Sequence, residues 1–356
     1  MTAVDFSDLS LIRRGGEQMR AGAGPTSLQP VETVAEWQEK VACLRRLFLL
    51  CLGEKPALEF APAPVINWEK DQGAYILRNM SYNVDADERI NAYMLIPKGV
   101  PLPAPGVLCL HPTTSLGKEQ TIGNDPSEKG QDYAYGRELA EAGYVTFCFD
   151  LLSANERCYP GLRDFDTAPF YAKYPRWSVR GKDLHDVEVA LQVMQSCPEI
   201  IPDRLGCIGH SQGGGITMHA MAMDERIKVG VSSAGDCPAR ISKNPYNYAR
   251  DSWWVGMPAL RDFCTTGKEF PVQMHEFLAM SAPRAVLNFT ALNDYQYTLA
   301  EAPFMDAAFS AVRSEVSRIF ALYQRPEAFV LHTHTKGHGF EKPERELALK
   351  FIRRFL

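Results

Sequence analysis

Beyond residue 100 the chain alternates between short runs that are apolar on both faces and segments of helical pattern. APGVLCLHP (104–112), YVTFCFD (144–150), RLGCIGHS (204–211), IKVGVSSAG (227–235), RAVLNFTALND (284–294) and EAFVLHTHT (327–335) read as strands. QDYAYGRELAEAG (131–143) and RGKDLHDVEVALQVMQS (180–196) read as helices between them. A strand that is apolar on both faces must be covered on both, and crossover helices of a parallel sheet supply that cover. Upstream, GAYILRNMSYNV and RINAYMLIP alternate apolar and polar residues around the polar turn DADE, the pattern of an antiparallel hairpin. The pattern predicts an α/β fold: a mostly parallel sheet flanked by helices and opened by antiparallel strands.

Residues 31–53 carry apolar side chains at helical spacing and stop on Gly53, which predicts a helix with a glycine terminator. The proline-bearing stretch KPALEFAPAPVINW then reads as a linker. We therefore expect residues 1–65 to form a helical extension and linker, and residues 66–356 a single catalytic-type domain. That extension could pack on its own domain or on a neighbouring subunit. Two connections, 151–180 and 237–280, are too long for plain turns, are rich in aromatics, and follow strand C-termini, where open α/β sheets bind ligands. Both are candidate pocket walls.

With 46% hydrophobic and 23% charged residues the 356-residue chain can bury a large core. A formal net charge of -5 and no basic block give no footprint for nucleic acid or for an acidic membrane surface, so the expected partner is a small molecule. The longest apolar stretch near the start, Leu47 to Leu52, is far shorter than the roughly 20 residues that span a bilayer. Nine cysteines, without a CxxC pair, fit a reducing compartment, and the expected location is cytoplasmic. A homo-oligomer is compatible with the composition.

Gly209-His210-Ser211-Gln212-Gly213 is a G-x-S-x-G between a strand-like and a helix-like run. On such a turn the serine is strained and the flanking glycines keep neighbouring backbone clear. A serine hydroxyl needs a base to take its proton and a carboxylate to orient that base. In chain order serine, acid, histidine, the partners are Asp294, at the end of RAVLNFTALND, and His338, beyond AFVLHTHT and between two glycines. Asp236, after IKVGVSSAG, is a rival acid at another strand end. His332, His334 and His338 also form an H-x-H-xxx-H pattern. A metal needs further ligands and a second shell that the sequence does not offer, so His332 and His334 are assigned to the strand, and no metal or cofactor is expected. The oxyanion donors should be the backbone N–H groups of Gln212 and, because Pro112 has none, of Thr113.

Several residues keep two readings. Trp253 and Trp254 could stack on a substrate or pack the 237–280 insertion. His111 is a loop-orienting residue that also stands as a candidate for substrate contact. Asp150, with Glu156-Arg157 downstream, reads as a pocket-rim anchor or a fold-stabilising ion pair.

GVLCLHPTTSLGKE, PEIIPDRLGCIGHSQGGG and GHGF together resemble the α/β-hydrolase superfamily, and within it the dienelactone hydrolase and acetyl xylan esterase-like branch. The resemblance covers roughly residues 74–356. Two departures stand out: dienelactone hydrolases carry cysteine where this chain has Ser211, and Pro112 replaces an oxyanion-loop glycine. Lys118-Glu119 resembles the pair that ends the branch's oxyanion loop and is expected to brace it. The resemblance implies a cofactor-free serine hydrolase of short-chain carboxylic esters, acetylated sugars among them. A serine peptidase or amidase, and a non-catalytic binding scaffold, are the competing readings.

Overall fold

The computed structural model describes residues 31–238, 249–250, 252–266, 270–295 and 302–356. The first 30 residues of the expected extension, and 239–248, 251 and 267–269 of the second long connection, lie outside them.

Nine strands form one sheet: β1 (Val65–Asp71), β2 (Tyr75–Asn83), β3 (Arg89–Pro97), β4 (Ala104–Leu110), β5 (Val145–Phe149), β6 (Ile200–His210), β7 (Ile227–Ser233), β8 (Ala285–Ala291) and β9 (Phe329–His334). Their order is β1-β2-β3-β5-β4-β6-β7-β8-β9. The pairs β1/β2, β2/β3 and β3/β5 are antiparallel, and every pair from β5/β4 to β8/β9 is parallel. The expected hairpin is β2/β3, turning at 84–88. The parallel strands are buried on both faces: β5, β7 and β8 hold only one exposed residue between them, Lys228.

The principal helices are α1 (Val34–Leu52), α2 (Tyr135–Glu141), α3 (Val179–Ser196), α4 (Gln212–Met223), α5 (Ala302–Leu322) and α6 (Lys342–Phe355). Helix α2 packs on β3–β5 and α6 on β7 and β8, and the two are joined where Arg345 of α6 donates to the carboxylate of Glu138 of α2. Helices α3 and α4 pack on each other and on β6. Met218 and Met221 of α4 are core residues.

Helix α1 begins at a capping box, with Thr33 accepting from the Glu36 N–H and the Glu36 carboxylate accepting from the Thr33 N–H, and ends at Gly53, whose φ of 82° suits glycine. Trp37, Leu44, Leu47, Phe48, Cys51 and Leu52 are buried along one stripe against α3, α5 and the turn at 258–260.

The stretch expected to be a linker is only partly one. Its last residues, VIN and Trp68, belong to β1, an edge strand whose seven residues are all exposed. With neither face buried, β1 has no apolar periodicity to announce it. Nor do Glu156 and Arg157 pair with each other. Arg157 is clamped between Glu88 (2.6 Å) and Asp186 (2.9 Å), while Glu156 and Asp150 both go to Lys118 (2.9 and 2.7 Å). Lys118 is wholly buried there, and its own N–H also donates to Asp150 (2.7 Å), so the pair does brace the loop after β4.

Candidate active site

Ser211 sits between β6 and α4 at φ 55°, ψ −118°, a conformation that costs a non-glycine residue about 1–3 kcal/mol and persists only where surroundings enforce it. Its N–H donates to the Ser233 carbonyl of β7 (2.7 Å). A β-carbon on Gly213 would lie 2.2 Å from the Leu110 carbonyl oxygen, so the elbow can pack against β4 only with glycine there.

The loops after β8 and β9 bring the other two side chains to it. His338 Nε2 lies 2.9 Å from Ser211 Oγ, and His338 Nδ1 lies 2.7 Å from Asp294 Oδ2. A carboxylate only accepts, so Nδ1 carries the proton and Nε2 is left to accept from the serine hydroxyl. Asp294 is wholly buried and the His338 side chain 10% exposed. Asn293, which sequence reasoning passed over, ties the two loops: its Nδ2 donates to the Thr335 carbonyl and its Oδ1 accepts from the Gly337 N–H, both at 2.9 Å. Gly337, at φ 69°, makes the turn that aims His338 back.

The rival acid, Asp236, does not take this place. Its carboxylate accepts from the Cys237 N–H (2.8 Å), and burial pushes its pKa up to about 7. His332 and His334 lie on β9 as expected, and burial lowers the pKa of His334. Among the described residues, no three His, Cys, Asp or Glu side chains gather as they would around a metal ion.

A cavity of about 490 Å³ opens over Ser211 and His338. Thr113 and Gln212 line it, and the Thr113 hydroxyl donates to Gln212 Oε1 (3.3 Å). Both residues expected to supply oxyanion donors therefore line the same cavity as the serine, with Gln212 at the start of α4, where the helix dipole favours negative charge. Trp253 and Trp254 also line the cavity, and Trp253 is fixed by donating Nε1–H to the Asp164 carbonyl (2.8 Å), which joins the two long connections.

Of the two readings of His111 the structure keeps the loop-orienting one and corrects the candidacy for substrate contact, since His111 is not among the residues that line the cavity. It is fully buried, Nδ1–H donates to the Pro112 carbonyl (2.7 Å), Nε2 accepts from the Leu151 N–H (2.9 Å), and burial lowers its pKa. Both ring nitrogens are spent on shaping the loop after β4. Among the lining residues that the sequence did not single out are Lys129, Arg180, Arg250 and Tyr295, whose ring lies 5.7 Å from that of His338. His210 also lines the cavity, stacked between Tyr133 and Phe340, with burial holding its pKa well below the usual range.

Residues 185–313 match a family described as glucuronyl esterase, fungi. The chain is 25% identical over 285 residues to the Bacillus subtilis protein named "Putative hydrolase YtaP", covering 79% of this chain and 88% of that one. Its structure is similar to a glucuronoyl esterase from Solibacter usitatus, with a TM-score of 0.70, 16% identity, and 93% and 96% of the two chains covered. It is also similar to a Teredinibacter turnerae glucuronoyl esterase, with a TM-score of 0.64, 18% identity, and 94% and 90% covered. The fold is thus the α/β-hydrolase fold, with an N-terminal helix added to it.

Proposed function

We propose that this α/β-hydrolase is a serine esterase that cleaves carboxylic esters of sugars through an acyl-enzyme. One observation carries the reading: Ser211 Oγ lies 2.9 Å from His338 Nε2 and His338 Nδ1 lies 2.7 Å from Asp294 Oδ2, with Ser211 and His338 lining a cavity. Ser211 Oγ attacks the ester carbonyl while its proton passes to His338 Nε2. Buried Asp294 holds the resulting imidazolium, and the N–H groups of Gln212 and Thr113 receive the oxyanion. His338 then protonates the departing alkoxide, and a water, deprotonated by the same imidazole, releases the acid.

The sugar portion of the reading is supported by the relatives named as glucuronoyl esterases and by the two tryptophans that line the cavity, a residue type that packs against sugar rings. Among the described residues no helix is long and apolar enough to cross a membrane, and all nine cysteines are free, which supports a reducing, cytoplasmic setting.

A fluorophosphonate probe should label Ser211 in the wild type and not in S211A. A panel of acetylated sugars, methyl glucuronate and 4-nitroanilides then defines the class. Cleavage of anilides alone would sink the esterase reading in favour of an amidase, and absence of labelling would leave a binding scaffold.

A further inference from the structure

Arg180 lines the cavity and, among the described residues, has no carboxylate hydrogen-bonded to its guanidinium. Arg180 is the second residue of α3, and its N–H donates to the Gly256 carbonyl (3.1 Å), which fixes it between the helix and the second long connection. Its side chain is 12% exposed, and its Nε and Nη1 atoms are buried without a hydrogen-bond partner among the described residues. The nearest ion pair is loose, with Asp183 Oδ2 4.0 Å from Nη1. Burial raises both neighbouring carboxyls, Asp183 to about 6 and Asp236 to about 7, so Asp236 is partly protonated near neutral pH and offsets the guanidinium only in part. A cation in the first turn also faces the unfavourable end of the helix dipole.

Burying a charge without compensation is costly, so an anion that reaches the guanidinium would offset that cost. The cavity's other charged lining agrees in sign. Lys129 and Arg250 join Arg180, the Arg250 guanidinium lies 5.2 Å above the rings of Trp253 and Trp254, and among the described residues no Asp or Glu lines the space.

Resting on the esterase reading, we propose that Arg180 binds a carboxylate that the substrate carries in addition to its scissile ester, so that the enzyme selects acidic esters over neutral ones of the same shape. The guanidinium offers the paired donors that a carboxylate matches.

Two matched substrate pairs test this on the full-length protein. In 4-acetoxybenzoate against 4-acetoxybenzamide the charge is on the alcohol side, and in the 4-nitrophenyl monoester of adipic acid against 4-nitrophenyl hexanoate it is on the acyl side. The wild type should favour the anionic member of at least one pair by about tenfold or more in kcat/KM, mostly through KM. In R180M that ratio should fall to near one, with R180K intermediate. Adipate should inhibit competitively where neutral adipamide does not, a readout on the wild type that stands even if R180M fails to fold. Ratios near one for both pairs in the wild type, or equal losses on both members of a pair in R180M, would overturn the proposal while leaving the esterase reading intact. No cleavage of any of the four esters, together with no fluorophosphonate labelling, would overturn both.

Discussion

Asp294 and Asp236 are both buried carboxyls at strand ends, yet their surroundings give them opposite roles. Asp294 accepts from the imidazole of His338, so Asn at that position would present an amide that can donate to Nδ1 and favour the tautomer that cannot accept from Ser211. D294N is expected to lower kcat on 4-nitrophenyl acetate by about 10³–10⁴-fold with little change in melting temperature. Asp236 should behave in the opposite manner. Its folded pKa of about 7 lies above the ordinary aspartate value, so the folded state holds a proton that the unfolded state loses at lower pH. Stability is therefore fullest below about pH 4 and declines as pH rises through about 7. D236N, which mimics the protonated acid, should be more stable than wild type by roughly 2–4 kcal/mol at pH 8, with the margin shrinking towards pH 5 in urea titrations. A constant margin across that range would show that Asp236 is ionised throughout.

At the scale of elements, what the sequence made legible follows from where each signal is stored. The parallel strands and the three residues at the ends of β6, β8 and β9 are announced locally, by apolar runs that stop at polar residues. Strand β1 is not, because none of its side chains is buried, and Arg180 is not, because it reaches the cavity only through the docking of α3 against the loop at 256. His111 kept two readings for a related reason: its partner Leu151 lies 40 residues away, and nothing near His111 in the sequence shows that both its nitrogens are occupied. The junction of the β2/β3 turn with α3 is equally non-local. Glu88, in that turn, pairs with Arg157 and with Lys182 of α3 (2.6 and 2.8 Å), and although burial opposes it, the two cations hold its carboxyl down at about 2. A depressed carboxyl contributes stability that is present above the unfolded value near 4.5 and lost as pH falls towards 2. E88Q should thus cost about 2 kcal/mol at pH 7, and its difference from wild type in thermal melts should narrow as pH drops below about 4.5.

Across the whole molecule, one apolar cluster runs from Val31 to Leu356, and α1 is part of it. Phe48 is almost fully buried, with its ring 4.9 Å from that of His219 in α4 and 4.7 Å from that of Phe277. Since α4 carries the strained serine at its N-terminus, the helix that the sequence presents as an extension packs on the element that holds the nucleophile in place. The strain at Ser211 must be balanced by packing elsewhere, and α1 contributes part of that packing. F48A removes the ring and should cost about 3–5 kcal/mol. Loss of far-UV ellipticity and loss of esterase activity should remain coincident in urea, both shifted to lower concentration together, because α1 and the hydrolase body share one core. An early transition in which F48A loses helical signal while activity persists would show instead that α1 is a separable appendage, and that the elbow is stabilised without it.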